Sequence, residues 1–145
     1  MFSSETFVEM ADGSKKAINI IRQGDMVMNK FKKPSKVRKV LKFPNTITIS
    51  IQLNNGTGVF YTTSTTEALC THIMNNQHKN SFCPFSMIHN ENGYTKNSMR
   101  TFSPESNVLI SNYDDATQTI KDLYQLEISD STKSFFANGI IVKSN

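Results

Sequence analysis

The chain has 145 residues, a formal net charge of +4, and 37% hydrophobic residues that include ten phenylalanines, which suits one domain with a core of its own. No apolar run approaches the roughly 20 residues of a membrane span, and Met1-Phe2-Ser3-Ser4-Glu5 has neither the basic start nor the apolar core of a secretory leader. Two cysteines in the whole chain point to a reducing, intracellular and cytoplasmic setting, with the thiols reduced or metal-bound.

Thr6 to Met10 alternates as a short strand, and Ala11-Asp12-Gly13-Ser14 supplies an Asp-Gly hairpin turn. Ala17 to Ile21 returns apolar, Gln23-Gly24-Asp25 breaks it, and Met26-Val27-Met28 starts another strand. The basic residues then cluster: Lys30, Lys32, Lys33, Lys36, Arg38, Lys39 and Lys42. Such a run fits a solvated strand edge, where lysines block pairing with other chains, better than phosphate binding. Neither nucleic acid nor membrane is therefore expected as a partner.

Val37 to Phe43 reads as a strand ended by a Pro44-Asn45 turn. TITISIQL, Thr46 to Leu53, alternates strictly, and Asn54-Asn55-Gly56 turns it into Val59 to Thr63. From Thr71 to Tyr94 the chain turns polar and reads as long loops around a weak strand, with further exposed connections at Ser103 to Ser106 and Ser111 to Ala116. Leu123 to Ile128 alternates again, Ser129 to Ser134 turns, and Ile140-Ile141-Val142 follows an Asn138-Gly139 turn. Only Ile18 to Arg22 hints at a helical turn. Short strands with turns roughly every eight to twelve residues predict an all-β fold.

Two segments echo each other. ITISIQLNNGTGVFYTTS and LYQLEISDSTKSFFANGI share a plan of strand, polar turn and aromatic strand, which suggests two related halves. Halves of that kind bring their second strands together near a pseudo-two-fold axis, so Met1 and Asn145 can share one site. An Asn at the end of a buried strand has a chemical use there. Its side-chain amide nitrogen can attack its own backbone carbonyl, close a succinimide ring, and cut away whatever follows.

A second cluster is Cys70, His72, His78 and Cys83, four soft or borderline ligands within a short polar stretch. Residues two apart on an extended chain point to the same side, and the four could close a tetrahedral zinc site. The plain alternative is two buried cysteines and two loop histidines.

MFSSETFVEMADGSKKAINIIRQGDMV resembles the first block of the Hint domain, found in inteins, bacterial intein-like domains and hedgehog autoprocessing domains. The shared features are Phe2 after position 1, Thr6, Val8, Asp12-Gly13, Ile18 with Ile21, and Gly24-Asp25-Met26-Val27. LYQLEISDSTKSFFANGIIVKSN resembles the last two blocks, with the Asn-Gly turn and the closing Asn. The resemblance implies a horseshoe-like Hint fold with pseudo-two-fold symmetry, spanning residues 1–145 as a single domain without a homing endonuclease insert.

It also implies function. A Cys or Ser at position 1 attacks the preceding carbonyl to make a labile thioester or ester, and cyclisation of the final Asn releases the other flank. Here position 1 is Met1, whose thioether cannot make a thioester, so the N-terminal acyl shift is blocked as written. The family's second block carries T-x-x-H; an ungapped count sets Thr62 and Thr65 at its ends, and a gapped one uses Thr65-Thr66-Glu67-Ala68, neither with His. Gln125 replaces the usual Asp of the penultimate block, and Ser144 replaces the commoner penultimate His, as in some split DNA-polymerase inteins.

The resemblance assigns Met1 to the nucleophile position, Thr62 and Thr65 to polarising the N-terminal scissile carbonyl, and Ser144 to assisting Asn145. It implies a monomer that needs no cofactor and whose partners are flanking exteins in the same polypeptide, with ubiquitin-like modules among the known settings. The alternative is a non-catalytic zinc-binding β module derived from a Hint domain. A zinc at the Cys/His cluster would also regulate processing, by occupying a His72 or His78 that otherwise swings into the site in place of the missing second-block His.

Overall fold

The computed structural model describes residues 1–74, 77–89, 98–101 and 107–145, with side chains described throughout except at 72–74, 77–79, 89, 98, 100 and 107. The described chain is almost entirely strand. β1 (Phe2–Ser3) is followed by the hairpin of β2 (Phe7–Glu9) and β3 (Lys15–Ala17). At the hairpin's tip Gly13 has φ 87, and the Asp12 carboxylate accepts the Ser14 N–H at 2.9 Å and hydroxyl at 2.6 Å. Those two bonds hold the Asp12 carboxyl below its ordinary range. The apolar return predicted at Ile18 is a single 3-10 turn, Ile18–Ile20.

β4 (Met26–Met28) pairs with the start of β5 (Pro34–Leu53), and β6 (Val59–Thr62) folds back on its end. β7 (Glu67–Met74) and β8 (Gln77–Pro84) form a hairpin, followed by one helical turn, α1 (Phe85–His89). After β9 (Ser98–Arg100) and β10 (Asn107–Val108), β11 (Ile110–Ile128) runs antiparallel along β5, and β12 (Ser134–Ala137) with β13 (Ile140–Lys143) closes the chain.

One sheet has the order β11-β1-β6-β5-β4, with β11 also on β5; the other has β10-β9-β7-β13-β12-β2-β3, with β8 on β7. The all-β expectation holds, and so does the repeat. β11 begins at 110 and β5 at 34, an offset of 76, which is also the offset between the echoing segments that begin at Leu123 and Ile47.

Three local expectations are corrected. Pro44-Asn45 is not a turn between strands; β5 continues through it. Asn45 takes φ 52 and donates its N–H to the Asp122 carboxylate at 3.1 Å, beside a register slip between Lys121 and Leu123, so the pair makes a bulge in a long ribbon. Ser111 to Ala116 belongs to β11, where the Asp114 carboxylate accepts the N–H groups of Ala116 and Thr117 at 3.0 Å across a second slip. The polar stretch from Thr71 to Pro84 carries the paired strands β7 and β8 rather than loop; residues 75–76 and 90–94 of that expected loop, and the connection expected at 103–106, lie outside the described residues. What orders β7 is long-range. Ala68 pairs with Val142 of β13 and Cys70 with Met99 of β9, and among the described side chains the apolar residues buried on the strand are those two small ones, which leave little apolar signal.

The core forms around aromatic rings. Phe2, Phe60, Phe85, Phe135 and Phe136 are all fully buried. Phe2 stands 6.2 Å from Phe60 and 6.0 Å, edge-on, from Phe135, while Phe60 meets Phe85 at 6.0 Å. The residue after position 1 is thus a keystone that fixes position 1 itself. The basic cluster is mostly exposed, on the β4–β5 connection and the first half of β5, with Lys42 3.6 Å from Asp122 and its ammonium 6.0 Å from the centre of the Tyr124 ring.

Candidate active site

β1 is held on both sides, Phe2 against Tyr124 of β11 and against Thr62 of β6. This places residue 1 at the end of β6, where Thr63 to Thr66 leave the strand. The Met1 nitrogen donates to Thr66 Oγ1 at 3.2 Å, and Thr66 Oγ1 lies 2.7 Å from Thr63 Oγ1. Burial lowers the pKa of the Met1 amine to about 5.

Thr62 is fully buried and donates its hydroxyl to the Met1 carbonyl oxygen at 2.5 Å. Thr62 therefore meets the carbonyl after position 1, whereas Thr66 meets the nitrogen before it. Thr65 is exposed and lies 3.3 Å, hydroxyl to hydroxyl, from Thr63. The two counts of the T-x-x-H block straddle a third, Thr63 with Thr66, which are bonded to each other and of which Thr66 accepts from the residue-1 nitrogen. A run of five hydroxyl residues, Thr62 to Thr66, gave no sequence signal to choose among these registers.

The opposite wall comes from β13 and the turn after β11. Ser144 is buried, and its hydroxyl donates to the Asn145 carbonyl oxygen at 3.1 Å. The Ile128 N–H reaches the same oxygen at 3.4 Å, while the Asn145 N–H donates to the Leu126 carbonyl at 3.1 Å. In this chain the Asn145 oxygen belongs to the terminal carboxylate and stands in for the carbonyl of a bond to a following residue; it receives a hydroxyl and a backbone amide, a pairing suited to an oxygen that gains negative charge.

Gln125, in place of a carboxylate, is buried and structural. It accepts the Leu126 N–H at 3.0 Å and donates to the Lys143 carbonyl at 3.4 Å. Lys133, which the sequence reading passed over, donates to the Ile128 carbonyl at 2.6 Å.

Both walls border one open cleft of about 620 Å³, lined among others by Met1, Thr65, Thr66, Gln125, Lys133, Ser144 and Asn145. Its carboxylate, Glu67, is paired with Lys143 at 3.3 Å. The cleft is open and holds both chain ends. Such a site can act on peptide bonds attached at those ends without capturing a separate substrate.

The Cys/His cluster is placed differently. In the β7–β8 ladder Ala68 pairs with Cys83 and Cys70 with Ser81, which puts both cysteines on one row; Cys83 Sγ lies 3.5 Å from Ser81 Oγ. Position 72 pairs with Lys79 in that same row, whereas position 78 pairs with Ile73 in the other. The side chains of His72 and His78 lie outside the described residues. No disulfide joins Cys70 and Cys83, and among the described residues no group of three or more His, Cys, Asp or Glu could hold a metal ion.

No protein-family model matches this chain, and no curated protein sequence matches it either. Solved structures do. A DnaB intein from Synechocystis sp. PCC 6803 superposes with a TM-score of 0.73 at 14% identity, covering 99% of this chain and 97% of that one. The MchDnaB-1 intein with an N145AA change gives 0.70 at 9% identity with 100% of both chains covered. A bacterial intein-like domain from Clostridium thermocellum gives 0.72 at 14% identity, covering 99% of this chain and 97% of the other. The chain has the Hint fold.

Proposed function

We propose that the chain is an autoprocessing domain that cuts or splices the polypeptide joined to its two ends, without a cofactor. The observation that carries the reading is the Asn145 carbonyl oxygen, held by the Ser144 hydroxyl at 3.1 Å and the Ile128 amide at 3.4 Å inside a cleft shared with residue 1. The fold shared with inteins and an intein-like domain supports it.

The C-terminal step runs on Asn145. Its Nδ2 attacks its own carbonyl carbon, and the oxygen, becoming negative, is steadied by the two donors. The bond to the next residue then breaks, the departing nitrogen takes up a proton, and a succinimide remains on Asn145.

The N-terminal step needs a nucleophile at position 1. Met1 has no ionisable hydrogen on sulfur, so the acyl shift is blocked in this sequence and Met1→Cys would restore it. The Thr63–Thr66 pair sits on the nitrogen that the shift must release, where a hydroxyl can deliver a proton. Thr62, on the carbonyl after Met1, secures β1. Partners are the flanking segments of the same polypeptide.

The test is a reporter protein fused after Asn145. The parent is expected to release it slowly, because cyclisation does not involve residue 1, and Asn145→Ala is expected to abolish release. Equal release from both proteins would overturn the reading.

A further inference from the structure

Lys133 lies in the turn between β11 and β12, half-buried, and lines the cleft beside Ser144 and Asn145. Its φ of 43 is a left-handed conformation, which a lysine holds only where its surroundings fix it. Two of its groups account for that. Its ammonium donates to the Ile128 carbonyl at 2.6 Å, and its own carbonyl accepts the Ser144 N–H at 2.8 Å. Ile128 and Ser144 are the two residues whose donors meet on the Asn145 oxygen.

We infer that Lys133 is a positioning residue for C-terminal cleavage, clamping the end of β11 to the residue before Asn145 so that both donors stay on one oxygen. The inference rests on the reading of Asn145 given above. An ammonium that merely capped a turn would serve no such end, but the carbonyl it takes is at a particular place. The β11–β5 register slips between Glu127 and Ile128; past the slip Ile128 stands opposite Val37 and the Ser129 N–H donates to the Lys36 carbonyl at 3.1 Å, so β5 holds one side of that peptide and the Lys133 ammonium takes its carbonyl. The cleft's acid is engaged elsewhere, Glu67 with Lys143. That leaves the Lys133 charge to the wall where the tetrahedral oxygen turns negative, and a cation in a part-buried site favours that charge.

The experiment uses the chain with a reporter after Asn145, comparing Lys133→Met, which keeps most of the stem, with Lys133→Arg, which keeps the charge and donors. Melting temperature and thiol-induced N-terminal cleavage in a Met1→Cys background serve as references. Lys133→Met is expected to slow C-terminal release about tenfold or more, with both references near the parent, and Lys133→Arg is expected to recover most of the rate. Release at the parental rate in Lys133→Met, or equal loss of both cleavages, overturns the inference.

If the parent itself releases nothing, the Asn145 reading fails, and amide hydrogen exchange in the 145-residue chain decides the clamp. Faster exchange at Ile128 and Ser144, with Phe135 and Ile141 unchanged, supports it; unchanged exchange at Ile128 and Ser144 overturns it.

Discussion

Truncating Phe2 to alanine should cost more at the reaction site than in the fold. The ring is fully buried, and its removal leaves a cavity between Phe60 and Phe135. Phe→Ala in a core costs about 3–5 kcal/mol, of which the two ring pairs account for roughly 1–3 kcal/mol. A domain has about 5–15 kcal/mol to lose, so Phe2→Ala stays folded in the cold and melts on the order of 10 °C lower.

The local effect is larger because β1 is two residues long. Its three ladder pairings, Phe2 with Tyr124 and Thr62 and Ser3 with Leu123, are too few to hold it once the ring is gone. Residue 1 would then leave Thr66. Urea unfolding measures the first loss, and thiol-induced cleavage of an N-terminal flank in the Met1→Cys background measures the second, with release after Asn145 as the internal control. Phe2→Leu should recover part of both. A destabilisation under about 1 kcal/mol, or the two cleavages falling in parallel, would refute the reasoning.

Other outcomes follow from the same geometry. Ser144→Ala removes one of the two donors on the Asn145 oxygen and should slow C-terminal release by about a hundredfold, read by densitometry of the released reporter. In the Met1→Cys background, Thr66→Val should lower thiol-induced cleavage by about tenfold or more, and Thr65→Val, at an exposed position, much less.

In the chain with a free Met1 amine, the unfolded amine titrates near 8.0 and the folded one near 5, so between those values the unfolded state holds more protons. Stability should therefore rise with pH from 5 to 8, by on the order of 2 kcal/mol for a half-buried group, and acetylation of the amine should flatten the curve. Because position 78 falls on the other row of the β7–β8 ladder from Cys70 and Cys83, a zinc titration with metal analysis should give no stoichiometric four-ligand site. One zinc per chain, lost in the Cys70→Ser, Cys83→Ser double variant, would restore that proposal.

Turn chemistry was the most readable part of the sequence. Asp12-Gly13 and Asn138-Gly139 demand positive φ, few other dipeptides supply it, and both turns formed where those residues stand; Gly139 has φ 84, with Asn55 Nδ2 3.1 Å from where a Cβ would be. Strict alternation made TITISIQL readable for the same kind of local reason. Pro44-Asn45 misled because a bulge and a turn use the same residues, and only the carboxylate of Asp122, far along the chain, selects the bulge. The β7–β8 hairpin was hidden because its order comes from β13 and β9 rather than from its own composition.

The candidate site divides the same way. Met1, Ser144 and Asn145 are marked by their place in the family blocks. Thr66 and Lys133 act through partners that only the fold brings near, Thr66 through a nitrogen 65 residues away.

The two-residue β1 sits inside its sheet, not at an edge, and its neighbours are β6 and β11. Phe2 cannot be seated until Tyr124, its partner on β11, has been made. A growing chain emerges N-terminus first, so its earliest residues must wait, unpaired, for a slot that nearly the whole domain has to be synthesised to build. Contacts of such long sequence separation also form late in folding. A segment joined upstream, as the proposed function requires, would thus have time to fold before its bond to residue 1 enters the cleft. On the function proposed above, and with a nucleophile at position 1, the order of strands would act as a clock that starts peptide chemistry only when the machinery is complete.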